Sequence, residues 1–220
     1  SLYNSIFIVT VGTLMSLFLT VMTGYPLSKH YLSGRRLVII MIVFTMIFQA
    51  PLIPTYLVVK ELHMINTMWA LIVPSAISAF NMILCITFFR NLPEELFDAA
   101  KVDGMSDYRI VWQIVVPLSK PIMVTLLLFY AVGHWNSYFA PLLYINDRNL
   151  QTLQMYLYFL IAAGSSNDIA SAVAGEIGGK LLPKALEMAT IVLATTPIVI
   201  LYPFLQKHFV KGATLGSVKE

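Results

Sequence analysis

One cysteine, few charges and no concentration of histidine set the limits on what this chain can be. Cys85 sits alone inside an apolar run, so neither a disulfide framework nor a thiolate metal site can be assembled from it. Only 11% of the 220 residues are Asp, Glu, Lys or Arg, against about 25% in an ordinary soluble domain. That shortfall excludes a solvated globular surface. His30, His63, His134 and His208 fall in four separate places. The sequence carries no His-Glu-x-x-His pair, no phosphate-loop lysine and no Gly-x-Ser-x-Gly elbow, so it nominates no metal ligand, no cofactor and no catalytic residue. A basic patch with interleaved aromatics is missing too, which removes nucleic acid from the partners. The chain opens on Ser1 without methionine, basic leader or small-residue cleavage site, and reads as part of a longer protein.

What the chain has in abundance is apolar length. Hydrophobic residues make up 58% and the mean hydropathy is +0.78. Five apolar runs stand out, at 6–27, 37–59, 68–89, 121–145 and 188–205. Each is near the roughly 20 residues that a helix needs to cross a bilayer. The alternating pattern of a membrane barrel is absent, so the spans are expected to be helical. Pro51, Pro54, Pro74, Pro141 and Pro197 interrupt the runs and predict kinks, which a bundle tolerates because neighbours re-satisfy the freed carbonyls.

Basic residues orient the runs. If the five alternate, Lys29, Arg35, Arg36, Arg90, Lys101, Arg109, Lys120, Lys207, Lys211 and Lys219 share one side. The other side keeps Lys60, Arg148, Lys180 and Lys184. Lys and Arg accumulate on the cytoplasmic face, so the segment 91–117 is expected inside and the segment 146–184 outside. Within the outer segment, 150–163 suits a helix, Gly164 to Asp168 suits a loop, and Tyr156, Tyr158 and Phe159 suit interface anchors.

The cytoplasmic segment is a charged island between apolar runs. Asn91, Pro93, Glu94 and Glu95 read as a helix start, since Asn caps, Pro fits the first turn and acids complement the helix dipole. Gly104 fits the stop, where positive φ is wanted. Ser106 and Asp107 can open a second helix that ends before Pro117. The pair would lie along the membrane surface, with small Ala99 and Ala100 letting a partner approach, Leu96 and Phe97 offering apolar area, and Asp98 facing a partner's arginine.

The order Asp98, Ala99, Ala100, Lys101, Val102, Asp103, Gly104, then Ile114, Val116 and Pro117 resembles the EAA loop of ABC importer permeases. The resemblance extends along nearly the whole chain. Leu92 to Gly104, Trp135 to Leu142 and Tyr202 to Gly212 are similar to blocks of the carbohydrate branch, the maltose-type one. Gln49 to Tyr56 and the long outer segment resemble permeases for polysaccharide fragments and uronate-containing oligosaccharides. Asp98 stands where the family has glutamate, and Val116 where it has leucine. The resemblance implies an all-α type I permease bundle in the bacterial inner membrane, with five transmembrane helices here, a further span upstream of Ser1 and a cytoplasmic coupling helix. It implies Glu95, Leu96, Asp98, Ala99, Ala100, Asp103, Gly104 and Pro117 as the ATPase-coupling positions. Also implied are a second homologous permease subunit, a cytoplasmic ATPase dimer that does the hydrolysis, and an extracytoplasmic sugar-binding protein, with sugar or oligosaccharide as substrate and lipid as surroundings. A secondary transporter or channel without an ATPase is the other class open to such a chain. Inverted repeats or paired broken spans would mark it, and the sequence has no repeat.

Polar groups inside apolar runs are expensive and usually face the bundle interior. Gln49, Asn81, Trp135, Asn136 and Tyr138 are therefore candidates for a sugar path, the amides bonding hydroxyls and the rings stacking on a pyranose face. Their commoner role in such bundles is to bond helix to helix, and the same holds for His134.

Overall fold

The computed structural model describes residues 1–48, 50–165 and 188–200, and the regular structure of these residues is entirely helical. Its axis is α1 (Leu2–Ser28), an unbroken helix of 27 residues. The buried stripe of α1 is rich in small and polar residues, among them Ser5, Gly12, Ser16, Thr20, Gly24 and Ser28. Leu14 and Phe18 point outward. In water this arrangement would be inside out. In lipid the apolar effect does not drive helices together, and small residues let backbones approach closely. A Cβ added at Gly12 would meet the His134 ring at 2.9 Å, and one at Gly24 would meet the Cys85 sulfur at 3.1 Å.

Helices α2 (Arg35–Ile47) and α3 (Leu52–Glu61) follow, bent by 115° to one another. The short α4 (Trp69–Ile72) is separated from α5 (Ala79–Arg90) by the stretch around Pro74. Next come α6 (Glu94–Val102), α7 (Asp107–Ile110), a π turn (Val111–Val115) and α8 (Val116–Leu118). Helix α9 (Lys120–Asn136) packs with α5 along α1. The chain continues through α10 (Phe139–Tyr144), a 3-10 turn (Arg148–Leu150), α11 (Leu153–Ser165) and α12 (Met188–Ile200).

The five apolar runs all carry helix; the first is continuous, the second, third and fourth are broken, and the fifth is one helix over its described residues. One helix among the described residues is long and apolar enough to cross a membrane alone, and three are if each bent pair counts as one span. The prolines explain the difference. Pro51 caps α3 and Pro54 lies in its first turn, while Pro141 lies in the first turn of α10. Proline is tolerated there because the first N–H groups of a helix have no intrahelical acceptor. These prolines begin new helices instead of kinking long ones. The last part of the fifth run, 201–205, lies outside the described residues.

Two buried clusters mark the ends of the bundle. One joins Tyr25 of α1, Phe89 of α5, Phe97 and Ala100 of α6, Val115 and Ile122. The other joins Ile8 of α1, Val59, Ile72, Tyr144 and Met155.

Candidate functional site

Helix α6 is built as expected at its end and differently at its start. Asn91 closes α5, and Pro93 takes the capping position of α6. At the other end Gly104 has φ +75°. The Gly104 N–H donates to the Lys101 carbonyl and the Met105 N–H to the Ala100 carbonyl, both at 3.0 Å. That is a Schellman closure, and Met105 packs into the same apolar cluster as Ala100, as such closures favour. The helix opened at Ser106 does not stop before Pro117 but runs on to Leu118. The wider π turn falls just where Pro117 cannot donate. At Ser119 the chain then turns by 88° into α9.

The two alanines face opposite ways. Ala99 is exposed, with Glu95, Leu96, Asp98, Asp103 and Gly104. Ala100 is buried, and Phe97 is only 3% exposed, so neither offers surface to a partner. The spacing explains this: 97 and 100 lie on the inner stripe of a helix whose outer stripe carries 95, 98, 99 and 102. Pro117 is exposed at the far end of the segment.

The loop after α1 grips α6 from the inside. The buried Lys29 ammonium sits 3.3 Å from the centre of the Phe97 ring and 5.5 Å from that of Tyr25. The two rings meet edge-on at 6.1 Å. Lys101 of α6 donates to the Tyr31 hydroxyl at 3.4 Å. Burial holds the Lys29 ammonium below its ordinary pKa, with Glu94 opposing, Lys101 adding to the depression and Asp98 opposing it.

The path candidates divide. Asn81 is buried in the first turn of α5, where its N–H reaches the Ser78 hydroxyl. Trp135 is 8% exposed and donates its indole N–H to the Ala194 carbonyl at 2.9 Å, binding α9 to α12. Its indole N–H is therefore occupied in joining helices. Asn136 and Tyr138 are exposed, and Tyr138 stacks on Tyr158 at 5.7 Å, with Phe159 edge-on to Tyr158. The structure brings these last residues together at the end of α9. Gln49 lies outside the described residues, as do the end of the outer segment, 166–184, and the block 202–212.

At that same end polar side chains tie distant loops. The Asn66 Oδ1 accepts from the N–H groups of Asn146 and Asp147 at 3.1 and 2.9 Å. The Asn4 amide donates to the carbonyls of Asn149 and Gln151, and the Leu153 N–H donates to the Ser5 hydroxyl at 2.8 Å. Midway, the Tyr130 hydroxyl meets Thr20 at 2.7 Å and accepts from the Ser78 N–H at 3.2 Å.

A family described as the binding-protein-dependent transport system inner membrane component matches residues 10–215. The chain belongs to that family. This permease is 48% identical over 220 residues to protein LplC of Bacillus subtilis (strain 168), covering 98% of this chain and 72% of LplC. It is 44% identical over 223 residues to the polygalacturonan/rhamnogalacturonan transport system permease protein YtcP of the same organism, covering 100% of this chain and 76% of YtcP. Among solved structures it is similar to that of a bacterial ABC transporter involved in the import of the acidic polysaccharide alginate. There the TM-score is 0.87 at 32% identity, over 95% of this chain and 74% of the other. The permease thus has the ABC importer permease fold.

Sequence reasoning missed three features of the permease. The grip of Lys29 on Phe97 had no local signal, since the two are brought together only by folding. The small-residue seam of α1 was legible, because Gly12, Ser16, Thr20, Gly24 and Ser28 recur every fourth residue. The Asn66 contacts were hidden by 80 residues of separation.

Proposed function

We propose that this chain is the permease subunit of an ATP-driven oligosaccharide importer. It works beside a second homologous permease subunit, above a cytoplasmic ATPase dimer and below an extracytoplasmic sugar-binding protein. The observation that carries this reading is the build of α6. Its outer stripe of Glu95, Leu96, Asp98, Ala99 and Asp103 is exposed, while Phe97 and Ala100 anchor it in a core shared with α1, α5 and α9. A surface held this firmly suits a docked partner that must transmit force. Closure of the ATPase dimer would move α6, and α9 would carry that motion to Asn136 and Tyr138, opening and closing the sugar path in alternation. The outer segment 146–184 would meet the binding protein. Uronate-containing oligosaccharides are the proposed substrate class, supported by the pectic substrates in YtcP's name and by the alginate importer's acidic cargo.

Gly104 gives the test. Among the described residues no neighbour lies within 4 Å of a Cβ placed there, so the backbone conformation is what resists substitution. A β-branched residue at φ +75° costs about 1–2 kcal/mol, whereas asparagine tolerates it. In the transporter reconstituted with its ATPase and binding protein, Gly104→Val is expected to lose uptake of oligogalacturonate while still inserting, and Gly104→Asn to keep it. Equal uptake by both, at equal insertion, would remove α6 as the coupling element.

A further inference from the structure

A second site lies beside the coupling end, on the outside of the bundle. His30 from the loop after α1, Arg35 and Arg36 from the start of α2, and Arg90 from the end of α5 line one open cavity of about 500 Å³. Its remaining wall includes Ile39 and Ile40 of α2. Arg35 places a guanidinium nitrogen 3.1 Å from the His30 ring nitrogen. The charge that acts on Arg90 is Arg35, a like charge. Among the described residues no carboxylate pairs with these arginines. Gly34 caps α2 without a side-chain acceptor, and the Arg35 N–H donates to the Leu32 carbonyl at 3.4 Å.

The apolar half of the site matters as much as the charged half. None of the 13 residues of α2 is buried, and Leu37, Ile40, Met41 and Phe44 are exposed along it. The helix therefore offers a strip of hydrocarbon contact leading directly away from three guanidinium groups. A free anion would use only the charged end. A phospholipid uses both, with its headgroup phosphate among the arginines and its acyl chains along α2.

We propose that the corner formed by His30, Arg35, Arg36 and Arg90 is a binding site for an anionic phospholipid headgroup. Occupancy neutralises the like charges that the fold brings together, and it fixes the loop 29–34. Because Tyr31 of that loop touches Lys101 of α6, the bound lipid also steadies the coupling helix from the membrane side. The site stands apart from the question of which sugar is carried.

The test is lipid retention by the full-length chain in its assembled transporter, read by native mass spectrometry and by thermal shift. Titration with phosphatidylglycerol is expected to show a saturable tight site and a rise in midpoint temperature. Phosphatidylcholine and inorganic phosphate are expected to give neither. Replacing arginines by Gln in Arg35→Gln and Arg90→Gln should weaken that site about five-fold each, whereas Arg109→Gln, on the same end of the molecule, should leave it unchanged. Equal retention of phosphatidylcholine would overturn the proposal, because hydrocarbon contact alone would then suffice. Saturation by inorganic phosphate would overturn the lipid assignment in favour of a soluble anion. An equal loss in Arg109→Gln would reduce the site to general surface charge. The wild-type lipid series decides the matter even if one of the variants fails to fold.

Discussion

Lys29 and Phe97 form a contact whose strength depends on being out of water. A cation over an aromatic face contributes about 0.5–1 kcal/mol when exposed and about 2 kcal/mol when desolvated, and Lys29 is buried. Lys29→Met keeps the apolar stem and removes the charge. Its expected effect is faster amide exchange across 94–103, by about thirty-fold, which is the equivalent of about 2 kcal/mol. Phe97→Leu should match it, and combining the two should add little further. Additive effects would mean the two side chains act separately. Two glycines make a sharper comparison. Gly12→Ala must displace the His134 ring and is expected to destabilise the permease by about 1–3 kcal/mol. Gly133→Ala meets nothing within 4 Å among the described residues and should be neutral or stabilising by about 0.5–1 kcal/mol. Thermal midpoints in detergent would separate them, and the idea of a tight α1–α9 seam fails if the two variants behave alike.

Between elements, one hydroxyl joins three pieces of the bundle. Tyr130 of α9 reaches Thr20 of α1 and the Ser78 N–H that opens α5. Buried polar pairs in membrane bundles average about 0.6 kcal/mol. Tyr130→Phe removes two such bonds and is expected to cost about 1 kcal/mol of thermal stability, while Thr20→Val removes one and should cost less. Equal losses would show that the Thr20 contact carries the junction alone. This junction illustrates which elements were legible in advance. The stop of α6 at Gly104 and the opening of α7 at Ser106 depend on residues within one helical turn, and the sequence carries both signals. The breaks at Pro51, Pro74 and Pro141 were visible, but their outcome was not. A proline in an apolar run permits either a kinked span or a new helix, and neighbours such as Tyr130 select between them. The candidate site divided along the same line. The outward positions 95, 98 and 99 follow from local periodicity, whereas the inward turn of Ala100 and the Trp135 bond to Ala194 depend on helices far away in the chain.

At the scale of the molecule, charge and shape agree on two ends. Lys29, Arg35, Arg90 and Lys101 gather at the end that holds α6, and Lys60 and Arg148 belong to the other, where loops 62–67 and 144–151 meet. In the proposed function the first end is the cytoplasmic one, as the bias of Lys and Arg favours. Single cysteines replacing Asp103 and Asp147, both exposed, in a Cys85→Ala background should react with membrane-impermeant reagents from opposite faces. Labelling from one face for both would overturn that orientation. The 88° turn at Ser119 gives these two ends a mechanical relation. The run 107–118 and α9 have the shape of a bell crank, with one arm across the end of the bundle and the other along α1. Helix α9 has 17 residues, or about 25 Å of rigid arm. A rocking of about 10° at the elbow would sweep its far tip, Asn136, through about 4 Å. That is more than the width of a water molecule, and under the proposed function it would reach the aromatic corner of Tyr138 and Tyr158 from a push applied at the other end of the arm.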